Sequence, residues 1–460
     1  VTVETTTVID EPARSTPLYG SFDVVVLGGG PAGLAAAIAA SRSGAETIMV
    51  ERYGFFGGMG TAAGVTNFCG LYANCFGEHV QVVQGIADDF LAGIAELDGL
   101  RPPHLILGKI LAQAYDTAAY KLAADRLLKD AGTHLLLHAY GCGAITRASE
   151  AIDCLLVETK SGRRALRGRV FIDASGDGDL LAWAGVPFEL GDGAGSMMYP
   201  STMFRLNNVA PGAAASRAWE EIPKKMADLT RLTGKTFPRK GPIVRPQPHE
   251  IEWRANLTQV ANAKGLAVDG TDAAQLSEGE IEGRRQVREA FLFLREHIPA
   301  FAQAYIVDIP PQLGIRETRR MVGEYQLTAE DVLGCQTFPD SIGVNGWPIE
   351  DHVAGDVVFR WPDIPGSRGF NQLPYRMLLP HSFENLLVAG RCASMTHGGQ
   401  SAARVSGACF VMGEAAGTAA ALALRDGKTV QTVDVGELQS TLQKNGAYLG
   451  FEPIGSHSSS

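Results

Sequence analysis

Apolar and polar positions fall into alternating blocks along the first third of the chain. Residues 22–27 (FDVVVL) form a short β-branched run of the kind that makes a buried parallel strand, and it leads straight into glycines. Residues 31–43 are rich in alanine, the best helix former, and Gly44 suits the position after a helix end. Residues 47–50 give a second apolar strand that closes on Glu51. Strand, helix and strand in this span make one βαβ unit.

Beyond it, residues 80–130 read as mostly helical and 135–138 as a strand. Two further strands, near 154–159 and 170–174, frame a turn at 161–164, and the second runs into the glycine loop SGDGD. From about 190 to 375 prolines concentrate, a helical stretch appears at 278–295 and the βαβ alternation is lost, which predicts a second domain. An apolar strand returns at 385–390 (NLLVAG), followed by a glycine-containing loop and a small-residue helix from about 405 to 425. That tail is expected to rejoin the first domain.

With 460 residues, 45% of them hydrophobic, the chain is long enough for two or three domains and a sizeable core. Its 54 glycines follow no fixed period, which excludes collagen-like and low-complexity classes. A net charge of -10 argues against a nucleic-acid partner or an anionic membrane surface. The seven cysteines (Cys69, Cys75, Cys142, Cys154, Cys335, Cys392, Cys409) form no C-x-x-C pair and no metal-ligand or iron–sulfur spacing, so no metal is expected. Their odd number favours reduced thiols and a cytoplasmic location. The first twenty residues carry Glu4, Asp10 and Glu11 without an apolar signal-like core, and no run reaches the roughly 18 apolar residues of a membrane span. The SHSSS end reads as a disordered tail, and homo-oligomerisation is left open.

Gly28, Gly30 and Gly33 satisfy G-x-G-x-x-G directly after a strand and at the opening of a helix, the context in which this motif has meaning. The first glycine permits the tight turn, the second admits a pyrophosphate to the backbone, and the third lets helix and strand pack closely. Glu51, about twenty residues on, suits an adenosine ribose diol and disfavours the 2'-phosphate of NADP. These residues alone leave NAD and FAD open.

Three later segments carry a resemblance to a known family. Gly57-Gly58-Met59 is similar to the G-G that passes along the diphosphate in FAD enzymes. VFIDASGDGD at 170–179 resembles the ATG-type strand and turn of flavoproteins, and ENLLVAGRCAS at 384–394 resembles the strand and loop covering the ribityl chain. With GIRETRRMVGEYQLTAEDVL at 314–333 and the THGGQ to GEAAG segment, the set resembles the FAD-dependent oxidoreductase family of glutathione-reductase-like fold, over most of 22–200 and 310–425. One departure is Arg391 and Cys392, where many flavoproteins have aspartate.

The resemblance implies an α/β protein: a Rossmann-type FAD-binding domain at 21–200 and 375–430, an inserted α+β substrate domain at 201–374, and a tail at 431–460. FAD is the implied cofactor. Gly28, Gly30, Pro31, Ala32, Gly33, Glu51, Arg52, Gly57, Gly58, Met59, Gly141, Ala174, Gly176, Gly390, Arg391 and Gly407 are its implied contacts. Cys69, Tyr72 and Cys75 are expected to descend toward the ring, and Gly407, Gly413 and Gly417 to pack their helix closely on the first helix or the cofactor. No second G-x-G-x-x-G follows a strand, so no dedicated NAD(P)H domain is expected.

For chemistry, His397 in MTHGGQ is the first choice of acid or base, against a loop histidine bonded to backbone. Arg404 is expected beside the flavin. Arg316, in a cluster with Glu317, Arg319 and Arg320, is a candidate clamp for a substrate carboxylate, against an internal ion-pair network. The basic stretch Lys235, Arg239, Lys240 and Arg245 lies among glycine and proline and reads as an exposed loop. The expected activity is hydride transfer between a small organic substrate and flavin N5, of dehydrogenase or oxidase type. A flavin monooxygenase and a flavin-binding protein without turnover are the competing readings.

Overall fold

The computed structural model describes residues 9–147 and 150–451; Glu4 and the SHSSS end lie outside them. Strand β1 (Leu18–Leu27) is followed by helix α1 (Pro31–Arg42) and strand β2 (Thr47–Val50). Val24, Val25 and Val26 are all fully buried, which explains an apolar run without alternation: both faces of the strand are covered. Strands β3 (His134–Leu136), β4 (Tyr140–Arg147), β5 (Ala151–Thr159) and β6 (Gly162–Asp173) complete a sheet of order β3-β2-β1-β6-β5-β4. Its β3, β2, β1 and β6 run parallel, while β6, β5 and β4 form an antiparallel meander.

The sequence placed a strand only at 170–174, but β6 is a single strand of 12 residues. Its first half pairs with β5. From Ala165 to its end it pairs with β1, and its last three residues pair on the other edge with the short strand β12 (Leu386–Val388), which brings the C-terminal part of the chain into the sheet. Asn385 holds that changeover: its amide oxygen accepts from the Ile152 N–H and its Nδ2 donates to the Ile152 and Arg169 carbonyls. Residues 80–130 are less helical than their pattern predicts. The first helix ends at Ala95, where the Gly99 N–H turns back to the Ile94 carbonyl with Asp98 at φ +54°, and strands His104–Ile106 and Ile110–Ala114 follow before helix resumes at Thr117–Asp130.

A second core has its own sheet, of order β8-β9-β7-β10, formed by β7 (Phe204–Asn207), β8 (Ile243–Pro246), β9 (Trp253–Asn256) and β10 (Tyr305–Asp308). Helix α2 (Ala273–His297) packs on it, burying Phe293 with Phe204, Trp253 and Phe301. Residues between 327 and 373, grouped with this domain in the sequence reading, supply Leu327, Ile342, Phe370 and Leu373 to the main core instead.

After β11 (Ile349–Asp351) and β12 come helices α3 (His397–Ala403) and α4 (Ser406–Asp426). A Cβ on Gly413 would lie 2.0 Å from the Ala32 carbonyl oxygen and one on Gly417 2.1 Å from that of Ala36, so two glycines a turn apart let α4 lie against the backbone of α1. Gly407 makes the same kind of approach to Gly70. By length and composition α4 is apolar enough to cross a membrane, but 94% of that apolar window is buried inside the molecule, where it serves as the core helix.

Candidate active site

The turn from β1 into α1 uses its three glycines differently. Gly28 has φ +101°, and a Cβ there would stand 2.4 Å from the Ala174 carbonyl at the end of β6. A Cβ on Gly33 would fall 1.8 Å from the Gly28 carbonyl oxygen. At Gly30 the only atom a Cβ would meet is the Gly58 Cα at 3.8 Å, so this backbone faces open space at the N-terminus of α1. The helix's first amides and its positive dipole end are there, a place suited to a phosphate.

Glu51, at the end of β2, ties the turn in place: Oε2 accepts from the Gly29 N–H at 2.7 Å and Oε1 from the Tyr53 N–H at 3.0 Å. Burial pushes its carboxyl pKa up, against these two backbone bonds. Each oxygen keeps a second lone pair for a ligand hydroxyl. Gly57 adds a bond from its N–H to the Gly29 carbonyl at 2.7 Å.

This turn opens into a cavity of about 350 Å³. Of the expected cofactor contacts, all but Gly33, Gly57 and Gly407 line it; those three sit behind the wall as packing or turn residues. Cys69 also lines it, whereas Tyr72 and Cys75 do not. Arg391 donates to Asp177 at 2.7 Å and to the Thr318 hydroxyl at 3.3 Å, closing the SGDGD loop onto the loop after β12. At the departure from the usual aspartate it is Arg391 that lines the cavity, while Asp177, its partner, stands behind the wall.

The cavity continues to a buried group of charges. Glu350, on β11, accepts from the Trp347 indole at 3.0 Å and lies 3.1 Å from His352 Nε2. Arg404 donates to the Glu350 carbonyl at 3.2 Å, and its buried Nε has no partner. Arg316 donates to the Tyr199 carbonyl at 2.7 Å and the Ser201 hydroxyl at 2.8 Å. Burial, and then the Arg316 charge, hold the His352 pKa well below the usual histidine value despite Glu350, which favours the neutral ring. Burial opposes the charge on Glu350, but His352 and Arg404 keep it well below the usual carboxylate range.

His352 was missed in the sequence. The available signal was the spacing of Glu350 and His352, two residues apart beside a strand and so on one face. His397, the expected acid or base, lies outside the cavity wall. Its Nδ1 is 2.9 Å from Glu317 and its Nε2 3.4 Å from Asp351. Burial works against its charge, yet those two carboxylates hold its pKa up at about 9, and both ring nitrogens are engaged. Arg320 reaches Glu317 from the other side, so that part of the 316–320 cluster is an internal ion-pair network, while Arg316 stands apart in the cavity wall.

The basic stretch read as an exposed loop divides. Lys235 and Lys240 are exposed. Arg239 and Arg245 line the cavity, with Arg254 from the neighbouring strand.

A curated relative, the dihydrolipoyl dehydrogenase of Trypanosoma brucei brucei, is 49% identical over 45 residues, which is 10% of this chain and only 9% of that protein's length. Among solved structures, a geranylgeranyl bacteriochlorophyll reductase-like protein from Thermoplasma acidophilum aligns at 13% identity over 92% of this chain and 82% of its own, with TM-score 0.46. The p-nitrophenol 4-monooxygenase of Pseudomonas putida aligns at 12% identity over 94% and 90%, with TM-score 0.45. The L-proline dehydrogenase of P. horikoshii aligns at 12% identity over 94% and 99%, with TM-score 0.41. The family model for FAD dependent oxidoreductases matches residues 23–442, nearly the whole described chain. The protein belongs to the FAD-dependent oxidoreductases, and FAD is its cofactor.

Proposed function

We propose that this enzyme is of the dehydrogenase or oxidase type and acts on a small organic molecule. In this reading the main sheet is a Rossmann-type, glutathione-reductase-like FAD domain, and the β7–β10 sheet with α2 is an inserted α+β substrate domain. When bound, FAD would supply the redox chemistry, a two-electron exchange of hydride between its N5 and a C–H bond of the substrate.

The amides opening α1 would hold the pyrophosphate at Gly30, with Gly28 and Gly33 giving the turn its shape, and Glu51 would accept from the ribose diol. Arg316 and Arg404 orient the substrate in the far part of the cavity. With Nε2–H donating to Glu350, His352 keeps the lone pair on Nδ1 and takes the proton that leaves with the hydride. Binding of an anion beside Arg316 and Arg404 would offset the charges that depress the His352 pKa and make the ring a better base. His397 holds α3 to Glu317 and Asp351.

The observation that carries this reading is a single cavity joining the N-terminus of α1 to the His352–Glu350 pair. Anaerobic mixing of FAD-loaded protein with panels of alcohols, amines and acids tests it: bleaching of the flavin bands by an organic substrate alone is expected. Bleaching only by NAD(P)H, followed by hydroxylation when oxygen is admitted, would replace this reading with a monooxygenase. A flavin that no reductant bleaches would mark a binding protein.

A further inference from the structure

We infer that the substrate is an organic polyanion, bearing at least two carboxylate or phosphate groups, held by Arg239, Arg245 and Arg254 of the inserted domain opposite Arg316 and Arg404. This rests on the oxidoreductase reading of the same cavity. On the sheet β8-β9-β7, Arg254 is directly paired across the strands with Arg245 on one side and Arg205 on the other, so three guanidinium groups share one face. Like charges directly opposite one another destabilise a sheet. Arg205 is neutralised by Glu252 and Asp116. The other two are not.

Among the described residues, no carboxylate lies within 4.0 Å of Arg239, Arg245, Arg254 or Arg316. Their partners are neutral. Arg239, 2% exposed, donates to the Gly241 carbonyl at 2.7 Å. Arg245 donates to the Val244 carbonyl at 2.8 Å and lies over the Trp219 ring at 5.0 Å. Arg254, 4% exposed, donates to the Val65 carbonyl and leaves its buried Nε without a partner. An Asn67 amide turned to face it accepts from Nη2 at 3.1 Å.

Carbonyls satisfy N–H groups but do not cancel charge, and a buried charge without a counter-ion is costly. Burial draws Arg239 down to about 10 although Glu350 partly offsets it, burial and Arg254 draw Arg245 down to about 10, and His104 in the same wall is pushed down to about 4 by burial and Arg254. Glu350 contributes one negative charge, which faces Arg404 at 3.9 Å, and cannot balance Arg239, Arg245, Arg254 and Arg316 as well. The other acids of the wall are Glu51, bound to the dinucleotide turn, and Asp179, paired with Arg319 at 2.9 Å. In a chain of net charge -10, this concentration of uncompensated cations in one cavity calls for an anion from outside. Planar guanidinium forks match carboxylates and phosphates alike.

The test is calorimetric titration of FAD-loaded protein with glutarate, tricarballylate and the bisphosphate ester of propane-1,3-diol, with glutaramide as the uncharged isostere. The acids or the phosphate ester should bind, weakening with salt, and glutaramide should not. Binding by the carboxylates alone identifies a polycarboxylate substrate; binding by the ester alone identifies an organic phosphate. Arg254→Met and Arg245→Met should each lower anion affinity at least about 10-fold, the cost of one charged hydrogen bond, while Lys235→Met leaves it unchanged. Both arginine variants should also melt no lower than the parent without anion, because a like-charge repulsion has been removed. Equal binding of glutaramide and glutarate, or arginine variants that lose FAD and keep anion affinity, would overturn the inference. A chain that takes up no FAD would fail the oxidoreductase reading instead, and the same titration of the FAD-free chain then decides between anion site and none.

Discussion

Gly30→Ala separates cofactor binding from folding at a single atom. Gly30 has φ -74° and ψ -179°, which alanine adopts without strain. The new Cβ would meet only the Gly58 Cα, at 3.8 Å. The chain without cofactor should therefore keep its stability to within about 1 kcal/mol, or gain slightly from a stiffer unfolded chain. The same methyl group occupies the space through which a pyrophosphate reaches the first amides of α1. Losing one or two hydrogen bonds to a charged phosphate, each about 1.5–3 kcal/mol, would raise the FAD dissociation constant from about 10-fold to beyond 10³-fold. The assay is paired: thermal unfolding of the FAD-free protein, and FAD titration followed by flavin fluorescence. Gly33→Ala is the contrast, because its Cβ would collide at 1.8 Å with the Gly28 carbonyl and should lower the melting temperature with or without cofactor. A Gly30→Ala protein that binds FAD within about twofold of the parent would refute the placement of the pyrophosphate, since twofold is far below the loss of even one such bond.

His352→Asn should retain FAD and lower kcat by about 10²- to 10⁴-fold; turnover within about threefold of the parent would remove His352 from the chemistry. His397 has a folded pKa of about 9 against 6.5, so its contribution to stability is full below pH about 6.5 and is lost as pH rises through about 9. The melting difference between the parent and His397→Gln should accordingly be largest near pH 6 and close at high pH, and a constant difference would contradict the ion pairs. Glu414, in α4, has its pKa raised to about 8 by burial while accepting from the Ile86 N–H. Its ionisation in the folded state costs stability as pH rises from about 4.5 through 8, so Glu414→Gln should melt higher than the parent at pH 9 and alike at pH 4.5. Gly413→Val should destabilise the protein by at least about 1–3 kcal/mol in denaturant titrations, because even its Cβ would overlap the Ala32 backbone.

The parts of this molecule legible in the sequence are those whose signals are local. β1, α1, β2 and Glu51 follow from an apolar run, a glycine pattern and an alanine-rich helix within one stretch, and the family inferred from the motifs is the one whose model matches. The helix around Gly413 and Gly417 was legible as a close-packing surface for the same reason. What escaped depends on chain segments that meet only in the fold. Arg245 and Arg254 lie opposite each other only once β8 and β9 pair, and Arg239 among glycine and proline carries the look of a solvated loop until the cavity closes over it. His397 was attractive for its place in a loop beside the helix; in the fold both its ring nitrogens face carboxylates distant in sequence, Glu317 and Asp351.

The central claim is that this chain carries FAD on the turn before α1 as a working redox cofactor. Absorption spectra of the purified protein, then of the supernatant after acid precipitation with the released compound identified by mass, test it most directly. Flavin bands that bleach with an anaerobic reductant, and intact FAD in the supernatant, are the predicted result. A colourless chain that takes up no added FAD but binds NAD would contradict it.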